Sequence, residues 1–185
     1  AVYIPTEEDD SVKEYLRMRN DHKLALKKIK QQINAFCIRH GFCYDGRKWT
    51  QAHLKWIKEL EITNRLYRET LDEYMASYEE QEAKIERFDK RIEEIAAQIK
   101  YREKVKRLEC FLGIKTHTAL SLIVETGDFE RFAKGNQYAA YLGLAPGENS
   151  SSDSIHRLGI TKAGNSHLRQ LLIEASGGIC KGAVG

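Results

Sequence analysis

Three consecutive serines, Ser150, Ser151 and Ser152, stand shortly before a run of cations. Arg157, Lys162, His167 and Arg169 fall within thirteen residues, and no acidic residue occurs between Asp153 and Glu174. A serine-rich stretch by itself is ordinarily a solvated loop. A hydroxyl beside clustered cations and a helix start is also what attack on a phosphodiester needs, because positive potential lowers the cost of the charge that develops. Composition alone leaves both readings open.

A second group lies upstream. Leu112-Gly113-Ile114-Lys115-Thr116-His117-Thr118-Ala119 has the texture of a helix-hairpin-helix turn, in which unpaired backbone N–H groups at a helix start grip a phosphate without reading base sequence. Lys115 would add a charge, and Thr116 is placed to cap the following helix. An ordinary corner between helices fits the same spacing. Cys37-x-x-His40-x-x-Cys43, with His53 downstream, hints at a metal site. The spacing is unusual and Cys37 falls on an apolar helix face, so no metal is assigned. No paired carboxylates and no phosphate-binding glycine loop stand out.

The elements that must position these groups are helices. The 185 residues include only two prolines, and 42% are hydrophobic and 31% charged, a globular and helix-prone balance. A net charge of +3 from 30 basic and 27 acidic residues says little about nucleic acid; the placement of the charges matters more. No apolar stretch is long enough for a membrane span, and no signal peptide leads the chain. Four scattered cysteines suit a reducing, cytoplasmic setting. The chain opens at Ala1 on a strand-like Val2-Tyr3-Ile4-Pro5 and stops at Gly185 without a tail, and it reads as a fragment.

Thr6 and Asp9 resemble a capping box for a helix with Val12, Leu16, Leu26, Ile29, Ile33 and Cys37 on one face, ending near Gly41. Thr50 is placed to cap the next helix. From Ile57 through Leu60, Asn64, Tyr67, Leu71, Tyr74, Tyr78, Gln81, Ile85, Phe88, Ile92 and Ile95 to Ile99 the steps alternate three and four. That is the pattern of a coiled-coil seam, between chains or within a hairpin, over roughly 60–65 Å. Packing on its own domain or on the helix at 7–40 is the plainer reading. Asn64 and Gln81 would each want a matching amide opposite. Beyond residue 101, short capped helices with glycine joints describe a small domain: Thr116 caps one and Asn136 another. The expected architecture is mostly α: a leading segment over 1–56, a coiled coil over 57–100 and a small helical domain over 101–185.

Tyr141-Leu142-Gly143-Leu144-Ala145-Pro146, then Ser151, then Gly159-Ile160-Thr161-Lys162-Ala163-Gly164-Asn165 and Leu168-Arg169 resemble the IS110 family of transposases and the related Piv-type DNA invertases. Phe111–Phe132 extends the likeness, as does the opening, so that it spans nearly the whole chain. The resemblance implies an N-terminal RuvC-like domain with four acidic residues holding a divalent metal such as magnesium, all of them before Ala1. Residues 1–56 would then be that domain's remnant and connector. Glu7, Glu8, Asp9 and Asp10 are not those ligands; they read as a helix N-terminus. It further implies site-specific strand exchange on DNA, a structured guide RNA as partner, and a homodimer or higher oligomer through the coiled coil. Ser151 matches the family's nucleophile by spacing from Pro146 and to Ile160, although Ser152 stands where glycine is usual, which keeps Ser150 and Ser152 open. Lys115, Thr116, Arg157, Lys162, His167 and Arg169 would meet DNA, with Thr161 and Asn165 shaping the turn. No cofactor is expected within these residues, and the fragment alone is expected to be inactive. The alternative is a non-catalytic coiled-coil module that binds nucleic acid.

Overall fold

The computed structural model describes residues 5–148 and 157–181. The predicted strand at the opening lies outside them, as do Ser150, Ser151 and Ser152. Among the described residues the fold is mostly α: α1 Glu7–Arg39, α2 Gln51–Lys58, α3 Arg65–Ala96, α4 Ile99–Glu109, α5 Thr116–Thr126, α6 Gly135–Tyr141, β1 Pro146–Glu148, β2 Arg157–Ile160 and α7 Ser166–Lys181.

The start of α1 follows from Thr6. Its hydroxyl accepts the Asp9 N–H at 3.2 Å and donates to the Asp9 carboxylate at 2.8 Å. Four acidic residues in the first turn face the positive end of the helix dipole. The helix then runs without glycine or proline until Gly41, at φ +78°. There the Gly41 N–H bonds Ile38 O and the Phe42 N–H bonds Cys37 O, which closes the last turn.

The chain divides into two compact units, Met18–Phe88 and Ala1–Arg17 with Asp89–Gly185. α1 and α3 each contribute to both units, so the divisions fall inside helices.

In the unit 18–88, α1 and α3 lie antiparallel around Leu26, Ile33, Phe36, Cys37, Leu71, Met75, Tyr78 and Ile85, with Ile57 of α2 joining them. Leu71, Tyr78, Gln81 and Ile85 of the expected seam are buried, and their partner is α1 of the same chain. The seam is not continuous. α2 stops at Lys58 and α3 starts at Arg65. Asn64 is exposed, and its side-chain oxygen accepts the Tyr67 N–H at 3.2 Å. It caps α3 instead of fixing register, because an orphan N–H at a helix start is a better partner than a seam position. Gln81 finds no amide either: its Nε2 donates to the His22 carbonyl at 3.0 Å and lies 2.6 Å from the His22 Nδ1. Thr50 caps α2 as expected, accepting the His53 N–H at 3.3 Å.

The seam also ends early. α3 stops at Ala96 and Ile99 is 89% exposed. The chain turns there so that Ile92, Ile95, Ala96, Tyr101 and Val105 meet Val12, Leu16 and the apolar side of α5 in the second unit. Tyr101 donates to Asp9 at 2.7 Å, and the Lys100 ammonium lies 2.8 Å from the same carboxylate oxygen. Burial raises the Asp9 pKa, but hydrogen bonds from Lys100, Tyr101 and Thr6 outweigh it and hold the group below its usual range. Burial, with the bond to Asp9, pushes the Tyr101 phenol up to about 12.

A phenol whose folded pKa is raised contributes stability that is present below the unfolded value, about 10, and is lost as pH climbs through the folded one. Urea-denaturation midpoints should therefore fall between pH 10 and 12 more steeply in the native sequence than in Tyr101→Phe. At pH 7 that variant should lose about 1–3 kcal/mol, since Asp9 forfeits a buried donor. Equal alkaline limbs in the two proteins would refute the assignment.

Candidate nucleic-acid interface

Two corners of the second unit carry the residues singled out from the sequence. The first joins α4 to α5. Ile114 N–H bonds Phe111 O at 3.1 Å, and Gly113 turns the chain at φ +87°. A Cβ on Gly113 would stand 2.3 Å from the Ala175 carbonyl oxygen, so this residue lets the turn rest directly on α7. Lys115 occupies the cap position of α5, with its side chain exposed. Thr116 is the first residue of the helix and does not cap it; its hydroxyl donates to the Glu109 carboxylate at 2.7 Å. The nearby acceptor on α4 draws the hydroxyl away from the cap. Phe111 and Leu112 at the tip are 62% and 63% exposed.

The second corner joins α6, the β1–β2 ladder and α7. α6 begins at Gly135 with Lys134 at the cap, two positions before the expected ones, so Asn136 lies inside the first turn. The helix closes at Gly143, whose N–H bonds Ala140 O at 2.9 Å. β1 pairs antiparallel with β2, Pro146 opposite Ile160 and Glu148 opposite Arg157. The ladder continues into the turn: Thr161 N–H bonds Ala145 O and Lys162 N–H bonds Gly143 O, both at 3.0 Å. A Cβ on Gly143, at φ +70°, would lie 1.9 Å from Ala163 O. A Cβ on Gly164, at φ +92°, would lie 2.0 Å from Tyr141 O. Each glycine thus admits the backbone of the opposite segment, and the two turns interlock.

Asn165 finishes the turn. Its side-chain oxygen accepts the Leu168 N–H at 3.1 Å and caps α7, while its Nδ2 donates to Glu125 Oε2 at 2.7 Å. Glu125, whose side chain is only 4% exposed, also takes Arg17 Nε at 2.8 Å and Nη2 at 3.1 Å. That bond raises the Arg17 pKa above its usual value. Arg169 Nη1 donates to the Leu142 carbonyl at 2.9 Å.

The structure therefore gathers Thr161, Lys162, Asn165, His167 and Arg169 on one turn and the helix it opens. Lys162 is exposed, in a left-handed backbone at φ +55°. His167 and Arg169 are half-buried in the first turn of α7. Ser150, Ser151 and Ser152 lie in the 149–156 connection between the paired strands, outside the described residues, and Arg157 is placed by its backbone in β2. Glu125 and Arg17 were not anticipated. The available sign was that Glu125 is the one acid on an otherwise apolar α5. Among the described residues no three His, Cys, Asp or Glu side chains gather to hold a metal. Cys37 is buried, Cys43 is exposed, and His40 packs between the Phe36 and Tyr67 rings. No described helix is long and apolar enough to cross a membrane.

Residues 105–180 match the profile of the family described as Transposase IS116/IS110/IS902. The chain is 32% identical over 177 residues, 95% of its length, to the transposase-named protein y4qE of Sinorhizobium fredii, covering 42% of that protein. It is 36% identical over 133 residues to the transposase for insertion sequence element IS1533 of Leptospira borgpetersenii, covering 71% of this chain and 38% of the relative. An insertion-sequence transposase of Coxiella burnetii is 35% identical over 117 residues, 62% of this chain and 29% of its own. The chain thus spans less than half the length of these relatives.

The interlock makes a sharp contrast between glycines. Gly143→Ala meets a carbonyl oxygen at 1.9 Å in a left-handed backbone, whereas Gly41→Ala, at φ +78°, meets nothing within 4 Å. The first should cost about 3 kcal/mol or more and the second about 1–2 kcal/mol, the backbone term alone. Urea midpoints of the two variants decide it; equal losses would mean that the corner is not close-packed.

Proposed function

We propose, for a chain that belongs to the IS116/IS110/IS902 transposase family, that it carries the DNA-recombining, serine-bearing part of a transposase, acting in site-specific strand exchange. One observation supports the reading above others: the strands that bound residues 149–156 run directly into the interlocked turn that holds Lys162. The described strands on either side of that connection thus share one fixed backbone with a solvent-facing cation.

In this reading the Ser151 hydroxyl attacks a DNA phosphorus, with Ser150 and Ser152 as the neighbouring candidates. A bond forms from Oγ to phosphorus, the bond from phosphorus to the leaving sugar oxygen breaks, and the hydroxyl proton departs as that oxygen gains one. Lys162 and Arg157 meet the phosphate charge. Thr161 and Asn165 hold the turn, and Arg169, already bonded to Leu142 O, positions it. Lys115 and the N–H groups at the start of α5 meet a second phosphate of the same duplex in the manner of a helix-hairpin-helix turn. As the resemblance implies, a divalent ion would be held by acidic residues of an N-terminal domain outside these 185, and no step here is routed through it. A structured guide RNA and a second copy of the chain complete the assembly proposed.

The test is a covalent trap. A full-length parent carrying this chain, given a nicked or suicide DNA substrate, should yield a protein–DNA adduct that survives denaturation. Ser151→Ala should abolish it and lower strand exchange by at least about a thousandfold, on the scale of losing a nucleophile. An undiminished adduct in Ser151→Ala would refute the assignment of the nucleophile. Neither adduct nor strand exchange in the native protein would favour the non-catalytic binding module.

A further inference from the structure

The charge of α1 is unevenly arranged. From His22 to Tyr44 there is no acidic residue, while Lys23, Lys27, Lys28, Lys30 and Arg39 all fall in that stretch. Elsewhere on the long helices, cations stand beside acids three or four positions away: Lys13 with Asp10, Arg65 with Glu69, Arg68 with Asp72, Lys84 with Glu80, Arg91 with Glu94. Lys30 is also engaged, bonded to Glu82 at 3.0 Å and lying over the Trp49 and Tyr78 rings. Lys23, Lys27, Lys28 and Arg39 are different. Each is exposed, and among the described residues none makes an ion pair.

Their positions make two rows. At 100° per residue, Lys23 and Lys27 stack one turn apart, while Lys28 and Arg39 line up three turns apart, roughly 130° round the helix from the first pair. The Lys28 row lies opposite the buried face of Leu26, Ile33 and Cys37, and the Lys23 row lies on its flank. From Lys23 to Arg39 the two rows together span roughly 24 Å of helix, somewhat less than one turn of B-DNA. Unpaired lysines at this spacing are the electrostatic pattern that tracks a phosphate backbone without reading bases.

We infer that the solvent side of α1 in the unit 18–88, from its Lys23–Lys27 flank to its Lys28–Arg39 row, is a second, sequence-independent docking surface for duplex DNA. The occupant is duplex DNA and not another copy of the chain. The exposed apolar side chains on this face, Leu24 at 52% and Ile38 at 59%, stand fourteen residues apart with Lys28 and Gln31 between. They form no continuous seam for a partner helix, and α1 against α1 would oppose lysine to lysine.

This inference rests on the reading that the chain handles DNA, and the experiment separates the two. The 185-residue chain is titrated with a 30-base-pair duplex of arbitrary sequence across a range of salt, beside Lys23→Gln/Lys27→Gln/Lys28→Gln and, separately, Lys115→Gln/Lys162→Gln. The triple variant should bind roughly 10–100-fold more weakly near 0.1 M salt, with a salt slope shallower by about 2.7. Circular dichroism should remain unchanged, since the three side chains are exposed. If the triple variant keeps the native affinity and slope while the double variant weakens, the α1 surface is overturned and the C-terminal reading stands. If the native chain shows no salt-dependent binding, both fall. Tighter binding to an RNA duplex of equal length, or a change of oligomeric state with unchanged DNA affinity, would also overturn it.

Discussion

A carboxylate taken out of water must be paired, and Glu125 is paired on both sides: Arg17 holds it through two bonds and Asn165 through a third. Removing one partner from such a group leaves charge uncompensated in a place where water cannot repair it. The consequence is geometric. Arg17 belongs to the first helix of the chain, Glu125 to α5, and Asn165 to the turn that opens α7. One anion therefore ties three distant stretches of sequence together. Asn165 cannot shift without giving up either the cap of α7 or its bond to Glu125. The turn that carries Lys162 is held by this pairing from one side and by the Gly143–Gly164 interlock from the other.

The same rule, that polar groups inside a fold must find partners, explains why the long helices differ from a uniform zipper. Gln81 is tolerated in the seam because the His22 carbonyl and ring receive it. Asn64 could not be accommodated in that way and marks a helix start instead. Tyr78, stacked on Trp49 at 5.4 Å and beneath the Lys30 ammonium, is buried, and burial pushes its pKa up to about 12. Every polar position in the stripe thus reflects a local solution, and the stripe closes against α1 of the same molecule.

Period was legible in the sequence where burial enforces it. Val12, Leu16, Leu26, Ile29, Ile33 and Cys37 were assigned to one face of a long helix, and all are buried except Ile29, which is half-buried. The Thr6 and Thr50 caps were equally readable, since each depends on residues three apart. Partners were not legible. A three-four stripe looks alike whether it meets another chain or its own first helix, and it runs unbroken through Asn64 and Ile99 although the backbone breaks at both. The Thr116 cap was misplaced because its hydroxyl has a competitor in Glu109. The Glu125 pairings escaped entirely, because sequence separations of 108 and 40 residues leave no local trace.

The structure also sorts cations that composition treats as equal. Arg169 lies in the cluster that first drew notice, yet one of its nitrogens is bonded to the Leu142 carbonyl and the side chain is half-buried. Its first effect is to brace the α6 corner, and a contact to DNA would use only its remaining donors. Lys162, by contrast, has its backbone fixed by the N–H bond to Gly143 O while its side chain is exposed. A lysine presented in this way meets a phosphate without first breaking an internal bond, and the backbone that carries it loses no further freedom on binding. Charge counted along the sequence therefore overstates the binding capacity of this corner and misses that of α1. Phosphate affinity should follow the cations whose backbone is ordered and whose side chains have no internal partner.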